Sequence, residues 1–233
     1  NQDLKGLKIG IPKDFFDDNL NPKISQSVLD AIKSFEKMGA ECIEIELPHN
    51  SFSLHAYYII APSEASANLA RYDGAKYGLS DKRPGNIWQA MERTRQMGFG
   101  PEVKRRIMLG TYSLSTGYYD AYYVKAQKVR TLIRREFDKA FQEYDAIVTP
   151  TSLTTAFRLG EKTDDPLQMY LSDVCTIPVN IAGIPCMSVP AGFVQGLPVG
   201  MQIISKAFGE ETIFRIAYAY EQATPWHKTR PQI

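Results

Sequence analysis

The chain has 233 residues, and its 27 Lys plus Arg against 26 Asp plus Glu give a formal net charge of +1. Hydrophobic residues make up 44% and charged residues 23%, which is ordinary for a globular protein with a sizeable core. The near-zero charge argues against a nucleic-acid coat protein and against a polybasic membrane binder. No apolar run reaches about 18 residues, so no transmembrane helix is predicted.

The cysteines and histidines indicate in which redox compartment the protein works and whether it binds a metal ion. The three cysteines, Cys42, Cys175 and Cys186, form no close motif, so we expect a reducing compartment, the cytoplasm or an organelle matrix. No Cys-x-x-Cys or His-x-x-x-His spacing occurs, so no metal site is predicted. The chain opens at Asn1 without a signal-peptide layout, and we expect that this is not the natural start of a gene product.

The first 50 residues predict a strand, a helix and a second strand. Residues 7–11 alternate apolar and other side chains and stop at Pro12. Asn21 can cap a helix whose first position is Pro22, and Gly39 is placed to end it. Residues 42–47 then alternate apolar and acidic side chains as a half-exposed strand does. This order indicates a βαβ unit with parallel strands.

The middle of the chain is predicted to be mainly helical. Residues 53–77 look helical, with small residues that permit close packing, and a polar loop follows over 79–85. Further helices are predicted over 86–97, from Pro101 onwards, and over 115–144. The last of these carries a series of basic residues, which form either a solvated face or a binding surface for RNA or a partner.

The last third returns to strands. Residues 145–151 predict a buried strand, residues 166–174 a short helix, and residues 186–189 and 199–204 two more strands. A closing helix is predicted over 210–223. Strands separated by long helical stretches indicate helices packed on a β-sheet, an α/β arrangement.

Several side chains are candidates for a site before any comparison is made. Asp173 interrupts a mostly apolar stretch, so it either caps backbone N–H groups or anchors an ammonium group. In the run Lys104-Arg105-Arg106 the cations are either exposed or include one guanidinium turned inward to hold a carboxylate. Cys175 and Cys186 lie between apolar or small neighbours and are expected to be core fillers rather than nucleophiles.

The densest pattern of prolines and glycines lies near the C-terminus. Residues 176–192 read Thr-Ile-Pro-Val-Asn-Ile-Ala-Gly-Ile-Pro-Cys-Met-Ser-Val-Pro-Ala-Gly, and residues 196–202 read Gly-Leu-Pro-Val-Gly-Met-Gln. This pattern resembles the C-terminal part of amidase-signature enzymes. The segments 63–74, 98–111 and 117–123 narrow the resemblance to the A subunits of glutamyl-tRNA(Gln) amidotransferases, and it runs over nearly the whole chain.

The resemblance implies that residues 1–233 are the C-terminal half of a single amidase domain. It also implies the fold class of that family, α/β with a mixed β-sheet core flanked by helices. Enzymes of this family use a Ser–cis-Ser–Lys triad in an upstream Gly/Ser-rich segment, and this sequence contains no Ser-Ser dipeptide. The triad is therefore expected upstream of the chain, and the fragment alone is expected to be inactive. A half-sheet is also expected to expose apolar surface.

The resemblance further implies an activity and partners. Glutamine would be hydrolysed to glutamate and ammonia, and the expected partners are amidotransferase subunits B and C. The first of these, the amidating subunit, would use the ammonia to convert Glu-tRNA(Gln) to Gln-tRNA(Gln). ATP and Mg²⁺ are expected there, with no cofactor on this chain. tRNA(Gln) would bind mainly through the amidating subunit, and the small third subunit would complete the assembly.

By the same resemblance three residues would recognise glutamine. Arg106 matches the arginine that holds the α-carboxylate, with Arg105 as its competitor, and Asp173 matches the aspartate that holds the α-ammonium. Tyr57 matches a tyrosine beside the substrate, although its neighbour Tyr58 and a plain packing role stay open. Two other functions stay open as well: half of a different amidase-signature hydrolase, and a non-catalytic binding module that reuses the fold.

Overall fold

A computed structural model of the chain describes residues 3–83, 85–162 and 166–230. The chain divides into two compact units. Unit 1 comprises Asn1–Leu54 and Arg130–Ile233, and unit 2 comprises His55–Val129. Most of the loop predicted over 79–85 is irregular, while Pro84 lies outside the described residues.

The helices and strands follow the predicted order with few exceptions. The strands are β1 (Lys8–Pro12), β2 (Glu41–Ile45), β3 (Ala146–Pro150), β4 (Cys186–Val194) and β5 (Leu197–Ile204). The α-helices are α1 (Pro22–Lys37), α2 (Ser53–Leu69), α3 (Ile87–Gly98), α4 (Pro101–Leu114), α5 (Lys125–Ala140), α6 (Pro166–Leu171), α7 (Ile177–Ala182) and α8 (Glu210–Ala223).

Unit 1 is built on a five-stranded sheet in the order β2-β1-β3-β5-β4. β1 pairs in parallel with both β2 and β3, whereas β5 pairs antiparallel with β3 and β4. The sheet is therefore mixed and flanked by helices, which confirms the predicted fold class. The parallel β1–α1–β2 unit is confirmed as well.

Local signals fix the ends of α1 as the sequence predicts. Asn21 Oδ1 accepts a hydrogen bond of 2.9 Å from the backbone N–H of Lys23, so it caps the helix, with Pro22 at the first position. Gly39 adopts φ +92 beyond the last turn, a conformation that glycine takes without steric cost.

The hydrophobic core of unit 1 lies on the face of the sheet that packs against α1 and α8. Its fully buried members include Ile24 and Phe35 of α1, Val148 of β3, Met201 of β5 and Ile216 of α8. Since successive residues of a strand point to opposite faces, Thr149 of β3 and Gln202 of β5 lie on the other face. Both of these polar side chains are fully buried.

The two C-terminal strands are longer than the sequence predicts. β4 and β5 form a hairpin that turns at Gln195 and Gly196, both with positive φ. Pro190 and Pro198 shorten the strands in a sequence-based prediction because proline cannot donate to a ladder. The pairing tolerates Pro190 because the register shifts between Pro190 and Gly192, as at a β-bulge.

One side of unit 1 exposes apolar surface. β4 is an edge strand, and its Met187 and Val189 line a cavity of about 540 Å³ together with Phe214 and Tyr218 of α8. Phe214 and Tyr218 are 59% and 51% exposed. A patch of this kind marks a surface that is suited to contact with further protein.

In unit 2 the first helix ends earlier than predicted. α2 stops at Leu69, whereas the apolar pattern continues to Tyr77. Gly74 and Gly78 adopt φ +89 and +67, and such left-handed residues end the helical path. Small residues of α2 do permit close packing: Gly110 of α4 lies against the carbonyl of Pro62, where an added Cβ would stand 1.9 Å from the oxygen.

The long helix predicted over 115–144 is interrupted at its start. Gly117 has φ +88, and a π-helical segment, Asp120–Val124, precedes α5. Helical side-chain periodicity continues through a π-helical turn with only a small shift, so a pattern of apolar residues does not reveal it. Part of the basic face of α5 is structural, since Arg130 Nε donates to the carbonyl of Ile181 at 3.0 Å, at the end of α7.

The loop between α2 and α3 is anchored by a buried carboxylate. The Asp81 side chain is only 4% exposed and forms ion pairs with Arg83 at 2.9 Å and with Arg93. Its backbone N–H donates to Thr94 Oγ1 at 2.9 Å. The hydrogen bonds from Arg83 and then Arg93 hold the pKa of the Asp81 carboxyl well below its ordinary value.

We expect Asp81→Asn to lower the melting temperature at neutral pH, because Arg83 and Arg93 lose their charge partner. Since the folded pKa lies below the ordinary value of about 4, the ion pairs stabilise the fold above that pH and stabilise it progressively less as the pH falls below it. The difference between the melting temperatures of the two proteins should therefore be smaller at pH 2.5 than at pH 7. Asp120→Asn, at an exposed position of unit 2, is the control and should change the melting temperature little at any pH.

Candidate functional site

Asp173 lies in unit 1, in the turn that joins α6 to α7. Its backbone carbonyl accepts hydrogen bonds of 3.0 Å from the N–H groups of Thr176 and Ile177, so the main chain, rather than the carboxylate, serves the first turn of α7. The residue is exposed, and no described residue donates a hydrogen bond to its carboxylate. The buried member of this turn is Cys175, not Asp173.

The two functions considered for Asp173 would use different atoms of the residue. A capping aspartate would accept backbone N–H bonds through its side chain, and here the carbonyl oxygen accepts them instead. The carboxylate is left as an exposed anion on a turn whose backbone is hydrogen-bonded. Such a group can accept charge-assisted hydrogen bonds from an ammonium group.

Arg106 lies in unit 2, on α4. Its Nε donates to Glu102 Oε1 at 2.9 Å, one helical turn earlier, and its side chain is 30% exposed. The guanidinium carbon lies 5.8 Å from the centre of the Tyr58 ring, within the range of a cation–π contact. Burial lowers the pKa of Arg106, but the hydrogen bond and charge of Glu102 outweigh it and raise that pKa overall, so the group stays cationic.

Arg105 differs from Arg106 in its surroundings. It also pairs with Glu102, but its side chain is 49% exposed. Of the two arginines, Arg106 is thus the one turned towards the tyrosines. The structure accordingly favours Arg106 over Arg105 as the inward guanidinium that the sequence anticipates.

Tyr57 and Tyr58 stand at the start of α2, beside Arg106. Their rings make an edge-to-face contact with centroids 5.1 Å apart. Both phenols lie close enough to Arg106 to raise its pKa slightly further, while the ring that faces the guanidinium is that of Tyr58. The structure therefore brings Arg106 and Tyr57 together within unit 2, and the choice between the two tyrosines stays a prediction.

The thiols are poorly suited to nucleophilic attack. Burial raises the pKa of Cys175 to about 12, and partial burial raises the pKa of Cys186 as well. A thiol is reactive as the thiolate, so both shifts oppose reactivity. Among the described residues no cysteine is hydrogen-bonded to a histidine, and His49 instead binds Glu136 at 2.5 Å.

One residue that the sequence did not single out lies behind the Asp173 turn. Gln202 Nε2 donates to the carbonyl of Cys175 at 2.9 Å and to Thr149 Oγ1 at 3.0 Å. The signal for Gln202 in the sequence is a single amide among the mainly apolar residues of strand β5. A strand pattern does not tell what a buried amide would contact, so the sequence could not assign it.

Comparison with known families places the chain. The amidase family profile matches residues 1–214. This chain belongs to the amidase family. Two curated members, the glutamyl-tRNA(Gln) amidotransferase A subunits of Dehalococcoides mccartyi and Moorella thermoacetica, are each 58% identical to it over 232 residues. The match covers 99% of this chain but only 48% and 47% of those proteins, so the chain spans about half the length of the curated relatives it matches.

Solved structures of the family agree with the fold. One of the glutamyl-tRNA(Gln) amidotransferase A subunits, that of Thermotoga maritima, superposes with a TM-score of 0.74 at 40% identity, over 97% of this chain and 44% of that one. A bacterial aryl acylamidase of the amidase-signature family superposes with a TM-score of 0.71 at 20% identity, over 99% of this chain and 47% of that one. At that identity the second likeness establishes the fold alone.

No group of three or more His, Cys, Asp or Glu side chains among the described residues is arranged to hold a metal ion. No helix in the described part of the chain combines the length and the apolar character that a membrane span requires.

Proposed function

We propose that this chain is the C-terminal half of the glutaminase subunit of a tRNA-dependent amidotransferase. The observation that carries this proposal is the 58% identity to one of the glutamyl-tRNA(Gln) amidotransferase A subunits across 99% of the chain. The aryl acylamidase, which is named for another amide, is only 20% identical to the chain and resembles it in fold alone. The substrate is then glutamine, and its ammonia serves the conversion of Glu-tRNA(Gln) to Gln-tRNA(Gln).

In this proposal the chain recognises the two charged substituents of glutamine. Arg106 holds the α-carboxylate, for which a planar guanidinium offers paired donors. Asp173 holds the α-ammonium, which suits an exposed carboxylate with no donor among the described residues. Tyr57, next to the ring that faces Arg106, lies beside the substrate.

The reacting groups lie upstream of the chain in this proposal. A serine hydroxyl attacks the side-chain amide carbon of glutamine, ammonia leaves, and an acyl-enzyme forms; water then releases glutamate. The residues of this chain bind and orient the substrate, which contributes to rate by holding the amide near the nucleophile. An analogue that lacks either charged substituent loses its contact with Arg106 or with Asp173 and binds weakly.

The partners, amidotransferase subunits B and C, follow from the same assignment. The amidating subunit receives the ammonia, binds tRNA(Gln), and uses ATP and Mg²⁺ to activate the misacylated tRNA, while the small third subunit completes the complex. The exposed apolar surface formed by β4 and α8 supports the view that unit 1 is in contact with further protein when the enzyme is assembled.

Ammonia release tests this proposal directly. We expect the 233-residue chain alone to release no ammonia from glutamine above background, and we expect activity when it is co-expressed with the upstream half of a close relative. An enzyme-coupled ammonia assay measures both. The mixture should prefer glutamine over a simple aliphatic amide such as propionamide by at least about 100-fold, since two charged contacts are absent from the latter.

Two outcomes would contradict the proposal. Equal hydrolysis of propionamide and glutamine would point to an amidase of different specificity. Activity of the chain alone would place a nucleophile within it, and Cys175→Ala and Cys186→Ala would then identify which thiol acts.

A further inference from the structure

Gln202 is a buried amide with a fixed orientation. The residue is 1% exposed, and its side chain lies on the sheet face opposite to α1 and α8. Its neighbours are acceptors: the carbonyl of Cys175 at 2.9 Å, the carbonyl of Pro150 at 3.4 Å and Thr149 Oγ1 at 3.0 Å, whose own proton is donated to the carbonyl of Pro150. Only the NH₂ end of an amide can face such a group of acceptors.

The hydrogen bonds of the Gln202 amide do not by themselves explain why an amide, rather than an apolar side chain, stands at this position. No described residue donates to Gln202 Oε1, which is itself buried. A buried acceptor without a donor costs free energy, and an apolar side chain of the same shape would avoid that cost. What glutamine adds at this position is the pair of N–H donors that reach Cys175 and Thr149.

Those donors connect the sheet to the turn that carries Asp173. Cys175 is two residues beyond Asp173. On the α7 side of the turn the Asp173 carbonyl accepts two 3.0 Å bonds, whereas the bonds on the α6 side are longer. The backbone N–H groups of Asp173 and Val174 donate at 3.2 Å and 3.3 Å to carbonyls three residues earlier, at the long end of the usual range. The 2.9 Å bond from Gln202 is shorter than either and comes from a central strand of the sheet.

We propose that Gln202 is a positioning residue: its side-chain amide holds the Cys175 carbonyl and thereby fixes the turn that presents the Asp173 carboxylate to the α-ammonium group of glutamine. This inference rests on the proposed function, in which Asp173 binds that group. Gln202 itself touches no substrate. It acts by keeping the carboxylate where the ammonium group arrives, so that the turn does not have to be ordered on binding.

A double-mutant cycle in the complete amidotransferase tests the proposal. We expect Gln202→Met, which fills the same space without a donor, to raise the KM for glutamine about 5- to 10-fold and to change kcat by less than about 2-fold. In an Asp173→Asn background the same change should raise the KM by less than about 2-fold, because the carboxylate to be positioned is gone. Thr149→Val is the matched control. It removes the hydroxyl that accepts from the Gln202 amide and leaves the bond from Gln202 to the Cys175 carbonyl in place.

A second substrate separates positioning from general damage. Glutaramate is glutamine without the α-ammonium group, so its kcat/KM should be the same in Gln202→Met and in the parent enzyme. Equal losses for glutamine and glutaramate, or additive effects of Gln202→Met and Asp173→Asn, would show a merely structural role and overturn the inference. If Asp173→Asn itself leaves the KM for glutamine unchanged, the proposed role of Asp173 fails instead, whatever Gln202→Met does.

A milder variant covers the case in which Gln202→Met does not fold. Gln202→Asn keeps the amide but withdraws its nitrogen from the Cys175 carbonyl by about 1.5 Å, one C–C bond length. We expect a KM for glutamine raised about 3- to 10-fold with glutaramate unaffected. A KM equal to that of the parent enzyme would contradict the proposal.

Discussion

Replacing Asp173 with asparagine in the complete amidotransferase is expected to raise the KM for glutamine about 10- to 100-fold while kcat changes by less than about 3-fold. Asparagine keeps the shape of the side chain but removes the charge, and a hydrogen bond to a charged group stabilises by about 1.5–3 kcal/mol. The exposed carboxylate makes no hydrogen bond to described residues, so no internal contact is lost with it. Steady-state ammonia release over a range of glutamine concentrations measures both constants.

Whether the substitution changes KM or kcat is as informative as the size of the change. A raised KM with an unchanged kcat means that the contact is equally strong in the ground state and the transition state, as expected for a group far from the reacting amide. Asp18→Asn, another exposed aspartate of unit 1, is the matched control and should leave both constants unchanged. An unchanged KM for Asp173→Asn would remove Asp173 from the substrate site.

The paired change on unit 2 is Arg106→Lys, with Arg105→Lys as its control on the same helix. Lysine keeps the charge but cannot offer the paired donors of a guanidinium, so a comparable rise in KM is expected for Arg106→Lys alone. The partly buried position of Arg106 over Tyr58 and the greater exposure of Arg105 predict this difference. A larger effect from Arg105→Lys would reverse the assignment.

Gly110→Ala is expected to destabilise unit 2 strongly. In an ordinary helix interior this change stabilises by about 1 kcal/mol, because alanine is the better helix former. Here the new Cβ would stand 1.9 Å from the carbonyl oxygen of Pro62 and 2.8 Å from the Cβ of Ser66. The first of these atoms belongs to the backbone of α2, so the clash is relieved only if the two helices separate. They would then lose the 2.8 Å hydrogen bond between Ser66 and Thr111.

Overpacking of this kind costs about 1–3 kcal/mol or more, which outweighs the gain in helix propensity. We expect the melting temperature to fall by about 4–8 °C. Gly98→Ala at the end of α3 is the control, since its new Cβ would meet only Leu79 Cδ2 at 3.7 Å, an ordinary contact. Differential scanning calorimetry of the two variants decides: a melting temperature for Gly110→Ala at or above that of the parent chain would contradict the packing of α4 on α2.

Local signals explain which elements could be predicted. The cap at Asn21, the glycine at position 39 and the mainly apolar run of β3 are each decided by residues next to one another in sequence, and the structure confirms them. The ends of the two C-terminal strands were misplaced because a non-local contact intervenes. The β4–β5 hairpin runs through Pro190 because its ladder shifts register there, which no local pattern reports.

The amino-acid sequence by itself determined the mixed α/β architecture, the family of the chain and the identities of Arg106, Asp173 and Tyr57 as candidates. These follow from periodicity, capping and motif resemblance, which are properties of neighbouring residues. Only the tertiary structure showed that the main chain of Asp173 caps α7 while its carboxylate stays exposed, and that Arg106 rather than Arg105 faces the tyrosines. It alone joined Gln202 to Cys175, 27 residues apart, because hydrogen bonds between buried groups depend on how distant segments pack, which the sequence around either residue does not specify.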